Sequence, residues 1–213
     1  MKPRTVYSCR ECGYKTYKWA GYCPSCKGDA LVEEIALPAG KSSAPPGAGG
    51  DLTLLEEIPP LAEDRLLTGI GELDRVLGGG AVPGSVILVG GDPGIGKSTL
   101  LLQAALGFVS RGLPVIYVTG EESLAQLKMR ATRLGLPARS LLVLADTEYS
   151  RIATRIAERQ PRIVVIDSIQ TVLKSELGTA PGSIIQIRDV TASLVQLAKS
   201  TEITLSAGRT PHA

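Results

Sequence analysis

From Val86 onward the chain alternates between two hydrophobic rhythms. Short apolar runs rich in β-branched residues, at 86–90, VIYVT (115–119), LLVLA (141–145) and RIVVIDSIQ (162–170), read as buried strands. Between them TLLLQAALGFV, LAQLKMRATRLG and TEYSRIATRIAERQ read as helices. Arg111-Gly112-Leu113-Pro114 breaks the first of these, and Gly135 stops the second. Strands that alternate with helices predict an α/β fold with a mostly parallel sheet, whose ligands sit beyond the carboxyl ends of the strands. Just upstream, GELDRVL (71–77) reads as a short amphipathic helix with Leu73, Val76 and Leu77 on one side. Gly78-Gly79-Gly80 ends it, and Pro83-Gly84 turns the chain into the first strand.

The N-terminal part follows neither rhythm. Residues 38–50, PAGKSSAPPGAGG, have the composition of a solvated linker, which separates a module at 1–37 from a core at 51–205. DLTLLEEIPPLAEDR (51–65) is acidic with scattered apolar residues, and reads as a strand or strap that docks onto that core. All four cysteines fall in the first module, as Cys9-x-x-Cys12 and Cys23-x-x-Cys26. Two such pairs about ten residues apart match a zinc ribbon or knuckle with four thiolates around one structural ion. Disulfides fit an intracellular chain poorly, and two successive pairs suit a metal cage better than a redox dithiol. The module cannot bury enough surface to fold alone, so the metal is expected to hold it together.

Residues 1–30 carry a net charge of +4, with Tyr7, Tyr14, Tyr17, Trp19 and Tyr22 interleaved. Such a mix suits stacking on single-stranded nucleic acid, or simply covers the metal site. For the whole 213-residue chain the net charge is +2, too mild to argue for nucleic acid by itself. Hydrophobic residues at 44% supply a real core, which is aliphatic because aromatics make up only 4%. No apolar run approaches a membrane span, and MKPRTVYSC is followed by no apolar signal segment. A cytoplasmic address is the expectation.

Chemistry concentrates after the first strand. Gly91-Asp92-Pro93-Gly94-Ile95-Gly96-Lys97-Ser98 is a complete phosphate-binding loop, followed by Thr99 and a helical pattern. Its glycines let backbone N–H groups wrap a polyphosphate at the positive end of the helix. Lys97 supplies charge for the β/γ-phosphates, and the Ser98 hydroxyl suits Mg²⁺. Asp167 follows four apolar residues at a strand end and is the expected second carboxylate of the Mg²⁺ shell. Glu121 and Glu122 are candidates to orient or deprotonate an attacking water, with Glu121 favoured. One of the two is expected to serve instead as a carboxylate at the helix N-terminus.

Several segments in order carry a family resemblance: TGIGELDRVLGGGAVPGS, GGDPGIGKSTLLLQ, VTGEES, VVIDSIQT and SELGTAPGS, with CRECGY, KWAGYCPSC and LVEE before them. Together they resemble the bacterial RadA (Sms) DNA repair family, a branch of the RecA-like ATPases, from residue 7 to about 201. The resemblance implies a RecA-like P-loop NTPase core preceded by a four-cysteine zinc finger. It further implies ATP hydrolysis with Mg²⁺, binding of single-stranded or branched DNA, work alongside a RecA-type recombinase, and a homo-hexamer. By position, Lys97, Ser98 and Thr99 would contact phosphates and Mg²⁺, Glu121 matches the catalytic glutamate and Asp167 the Mg²⁺-associated aspartate. Residues 174–183 fall where RecA-like proteins place a DNA-facing loop, and Arg188 on the next helix suits either a phosphate contact or a solvated face.

After LVQLAKSTEI the family pattern stops, so residues 206–213 read as an atypical tail and the sheet as incomplete. A truncation or change of reading frame is the expectation. The strand due here lies between the phosphate-loop strand and the Asp167 strand, and only Ile203–Ala207 is available to fill the slot. An unfilled slot would leave central backbone groups unpaired and the domain marginal. Because the family residues expected after position 203 are missing, nucleotide binding with slow or absent hydrolysis is the expectation for this chain. Two other readings stand beside this one. The first is a zinc-ribbon interaction module on a degenerate ATPase scaffold, and the second is a clock-type or signalling ATPase of the same superfamily.

Overall fold

The computed structural model describes residues 4–9, 14–16, 18–28, 31–36, 53–57, 65–135 and 140–209. The chain divides into two compact units, Met1–Ala62 and Glu63–Ala213. The linker at 38–50 lies outside the described residues, as do Cys12 and Tyr17. Within 51–65, Leu55–Glu57 form a single 3₁₀ turn rather than a strand.

The first unit is built on a three-stranded antiparallel sheet. Strand β1 (Arg4–Cys9) lies between β2 (Lys15–Thr16) and β3 (Leu31–Ala36), pairing with β3 along its full length from Arg4↔Ala36 to Cys9↔Leu31. Cys9 thus ends a central strand, and its N–H donates to the Tyr14 carbonyl at 3.0 Å. Cys23 opens a tight turn closed by bonds from Lys27 N–H to its carbonyl and from its own N–H to Gly28 O, both 2.8 Å.

The second unit is the predicted α/β domain. After α1 (Gly71–Val76) come β4 (Val86–Gly90), α2 (Lys97–Ser110), β5 (Val115–Thr119) and α3 (Leu124–Arg133). Then follow β6 (Leu142–Ala145), α4 (Tyr149–Arg159), β7 (Ile163–Asp167), α5 (Ile184–Thr201) and β8 (Thr204–Arg209). The five strands form one parallel sheet in the order β4-β8-β7-β5-β6. Strands β5 and β7 are buried on both faces, which is why their sequences show no alternation. Their side chains nonetheless divide by layer. Val115, Tyr117, Ile163 and Val165 pack with α2, whereas Ile116, Val118, Val164 and Ile166 pack with α4 and α5. On α1, Leu73 and Leu77 join the core but Val76 turns outward at 75% exposure, contrary to the pattern expected of that helix.

The slot for which only Ile203–Ala207 was available is filled. Strand β8 pairs with β4 from Val86↔Leu205 to Gly90↔Arg209, and with β7 from Ile163↔Thr204 to Ile166↔Ala207. Ser206–Arg209, read as the start of a tail, are core strand. Their fit is explained by alternation: Leu205 and Ala207 enter the α4–α5 layer, leaving Thr204, Ser206 and Gly208 for the crowded α2 side. A Cβ on Gly208 would lie 3.0 Å from Leu101 Cδ1 and 3.4 Å from Asp167 Oδ1, so the residue beside Asp167 must be small. Thr204 Oγ1 also accepts from Gly84 N–H and donates to Val82 O, both at 3.2 Å, which ties the turn before β4 to β8.

Helix α2 runs so close to the segment before α1 that a Cβ on Gly107 would sit 1.8 Å from the Thr68 carbonyl oxygen. That segment is pinned by Asp74, whose Oδ1 accepts from Thr68 N–H and Oγ1 at 2.8 and 2.7 Å. Leu205 is 2% exposed in the strand that joins the two halves of the sheet. Truncating it with Leu205→Ala is expected to cost about 2–5 kcal/mol, measurable as a lower midpoint in urea unfolding.

Candidate functional site

Strand β4 ends at Gly90 and the chain turns through Gly91–Gly96 into α2. The turn needs φ of +79° at Gly94 and +102° at Gly96, values that carry a steric penalty for residues with a Cβ. Asp92–Gly96 are exposed, and the first N–H groups of α2 open onto the same loop. Lys97 Nζ folds back on the loop, donating to the carbonyls of Gly91 and Asp92 at 2.7 and 2.8 Å. A lysine, a glycine turn and a helix N-terminus converge on one polar surface, and that donor set fits a polyphosphate.

Asp167 closes β7, with its residue 8% exposed. Both carboxylate oxygens are occupied. Ser98 Oγ donates to Oδ1 at 3.0 Å, and the Tyr117 hydroxyl donates to Oδ2 at 2.8 Å. Burial pushes the Tyr117 phenol far above its ordinary pKa, and the Asp167 charge adds to the effect, so the phenol stays a donor. A serine hydroxyl beside a carboxylate is an all-oxygen arrangement suited to a hard cation such as Mg²⁺.

Beyond β5 the backbone narrows. Gly120 N–H donates to the Asp167 carbonyl at 3.1 Å, and a Cβ there would fall 2.0 Å from Thr171 Oγ1. This close approach sets Glu121 beside the end of β7, where Ser168 Oγ donates to its Oε1 at 2.9 Å. Glu122 turns the other way and forms an ion pair with Arg130 of α3. The expected glutamate at the helix N-terminus is corrected here, because Ser123 takes that role. Its Oγ accepts from Gln126 N–H at 3.3 Å while Gln126 Oε1 accepts from Ser123 N–H at 2.9 Å, a reciprocal cap that needs no carboxylate. Neither Tyr117 nor Ser168 stood out in the sequence, since a tyrosine in an apolar run reads as core.

A polar cleft of about 460 Å³ adjoins Glu121 at the carboxyl ends of β5 and β6, lined by Thr119, Ser123, Asp146 and Arg151 among others. A hydrogen bond from Arg151 holds the Asp146 carboxyl down to about 2. The stabilisation from that pair is therefore full above the ordinary carboxylate range and lost as pH falls toward 2.

The 174–183 segment is fastened at its base. Lys174 Nζ reaches Asp189 at 2.5 Å and Ser193 at 2.6 Å, and lies 5.1 Å from the centre of the Tyr149 ring. The buried Gln186 amide accepts from Lys174 N–H at 3.0 Å and donates to the carbonyls of Lys174 and Thr179 at 3.1 and 3.2 Å. Ser175 binds Glu148, and Arg188 is exposed.

In the first unit the sulfurs of Cys9, Cys23 and Cys26 lie within 4.8 Å of one another. Cys9 and Cys26 are 3.6 Å apart, close to the roughly 3.8 Å edge of a tetrahedron with Zn–S bonds of about 2.3 Å. That separation is far beyond a disulfide bond of about 2.05 Å. The three thiols thus fit a zinc ion. Tyr7 packs on Cys9 and Cys23, and Trp19 tilts against Tyr7 at 5.3 Å between ring centres. Tyr14 and Tyr22 are exposed.

Comparison with known proteins agrees with this architecture. A family model described as "ATPase: KaiC" matches residues 66–143, from the segment before α1 through the phosphate loop to β6. The DNA repair protein RadA of Halalkalibacterium halodurans is 46% identical over 209 residues, covering 96% of this chain and 46% of that protein. RadA of Pseudomonas aeruginosa is 47% identical over 204 residues, covering 94% of this chain and 45% of the relative. RadA of Bacillus subtilis is 43% identical over 211 residues, covering 95% and 45%. The chain spans a little under half the length of these curated relatives. Among the described residues no helix is long and apolar enough to cross a membrane. Matched along nearly its whole length, with a parallel sheet that brings the phosphate loop to Asp167, the chain is similar to a little under half of the bacterial DNA repair protein RadA.

Proposed function

We propose that this chain binds Mg²⁺·ATP at the Gly91–Thr99 loop and hydrolyses it by in-line attack of water on the γ-phosphate, in the service of DNA repair and recombination. One observation carries the reading: Ser98 on the loop helix touches Asp167 on β7, while the neighbouring Ser168 holds Glu121. Two acidic side chains are thereby brought to the strand ends beside the phosphate loop.

Lys97 and the loop N–H groups bind the phosphates, and Ser98 with Asp167 would hold the metal. Held there, the metal would supply positive charge against the negative charge that develops on the phosphates. Glu121 orients the water and accepts its proton, held in line by the Ser168 hydroxyl. Glu122 is committed to Arg130, which favours a structural role for it. In the first module, at 1–37, Cys9, Cys12, Cys23 and Cys26 bind a structural zinc, and 38–50 links that module to the core.

The partners of the reading are single-stranded or branched DNA and a RecA-type recombinase, with a homo-hexamer as the assembled form in the cytoplasm. The printed names of the relatives support the repair context. A zinc-ribbon interaction module on an inert ATPase scaffold remains the competing reading, and the Ser98–Asp167 contact disfavours it.

Lys97→Ala is expected to weaken binding of a fluorescent ATP analogue about 10- to 100-fold, the worth of a charged phosphate contact, whereas an inert scaffold shows no change. Glu121→Gln is expected to keep nucleotide affinity and lower any ATP turnover by about 10²–10⁴-fold, measured by phosphate release. Zinc removal by a strong chelator is expected to alter the emission of Trp19, the single tryptophan, which stacks on the residue covering the cysteine cluster. Restoring zinc, and not magnesium, brings the signal back.

A further inference from the structure

We infer that Tyr117 is a positioning residue that orients Asp167 toward the magnesium-binding side of the site, an inference that rests on the Mg²⁺·ATP reading above. Tyr117 is fully buried, yet its hydroxyl ends on Asp167 Oδ2 at 2.8 Å. In the sheet it pairs with Val165, so Asp167 stands two residues further along β7 on the same face. A cross-strand diagonal of this kind is within reach of an aromatic side chain and beyond that of serine or threonine. On the other flank of Asp167 lies Gly208 of β8, which has no side chain and so offers no side-chain donor.

The two oxygens of the carboxylate are thus held by different parts of the molecule. Ser98 holds Oδ1 from the phosphate-loop helix, and that hydroxyl is the one suited to metal ligation. When it turns to a cation, Tyr117 is the side chain among the described residues that still fixes the rotation of the carboxylate. Orientation of a metal-associated carboxylate by an outer hydrogen bond commonly decides about 10- to 100-fold in metal affinity. Tyr117 therefore governs how much Mg²⁺ the site requires, and its full burial keeps it from the surface where a nucleotide would lie.

The test uses the full 213-residue chain and fluorescence of a mant-ATP probe, read as a function of Mg²⁺ concentration and again in EDTA. Tyr117→Phe is expected to raise the Mg²⁺ half-point about tenfold and to leave affinity in EDTA within about twofold of the parent. Asp167→Asn is expected to raise the half-point at least as far, and the double variant no further than Asp167→Asn alone, because Tyr117 acts through that carboxylate. Val165→Ala, matched to Tyr117→Phe by thermal unfolding, controls for general loosening of the same core cluster. A half-point for Tyr117→Phe within about twofold of the parent, effects that add in the double variant, or an equal rise with Val165→Ala each overturn the inference. If the parent chain shows no Mg²⁺-dependent probe binding, the ATPase reading falls and this inference with it. A parent that binds normally beside an unaffected Tyr117→Phe removes the inference alone.

Discussion

Two strands carry the candidate chemistry, and a third holds them at a fixed separation. Strand β4 feeds the phosphate loop and β7 ends in Asp167, with β8 hydrogen-bonded between them. Neighbouring strands lie about 4.8 Å apart, so the loop strand and the aspartate strand are set roughly 10 Å from each other. That gap is what α2 crosses when Ser98 reaches Asp167. A narrower sheet would crowd Leu101 against Asp167, and Gly208 already marks how little room is left. An unpaired β4 would leave the loop without a defined height over the sheet.

From that frame the rest of the site follows by short range. Gly120 presses against Thr171 because no side chain intervenes, and this delivers Glu121 to Ser168. Hydroxyls of Ser98, Tyr117 and Ser168 then point at carboxylate oxygens of Asp167 and Glu121 and fix how those groups are oriented. Further from the loop, Gln186, Lys174 and Glu148 fasten the base of the 174–183 segment onto α4 and α5.

Much of the fold was legible because its causes are local. The buried runs at 115–119 and 163–167 could be little else than central parallel strands, and the glycine turn before Lys97 is a motif whose geometry is written in its residue types. Four cysteines in two close pairs pointed to a metal cage, and three of them converge as expected. The helix that Ser123 starts was legible too, but its cap was assigned to the wrong residue. A serine three residues before Gln126 satisfies the free N–H groups with a neutral side chain, which released Glu122 to pair across the turn with Arg130.

What the sequence determined by itself was the kind of chemistry: a phosphate-binding loop, a strand-end aspartate, a glutamate after the next strand and a cysteine cluster, each encoded within a few adjacent residues. Which of these meet was decided only in three dimensions. The sequence offered Ile203–Ala207 for the slot between the two strands, but Thr204–Arg209 becomes a strand only because β4 and β7 both present unpaired edges to it. Tyr117 and Asp167 are fifty residues apart and share a hydrogen bond solely through the register of β5 on β7. Pairing between distant strands depends on packing and backbone satisfaction across the whole sheet, and no local pattern records that.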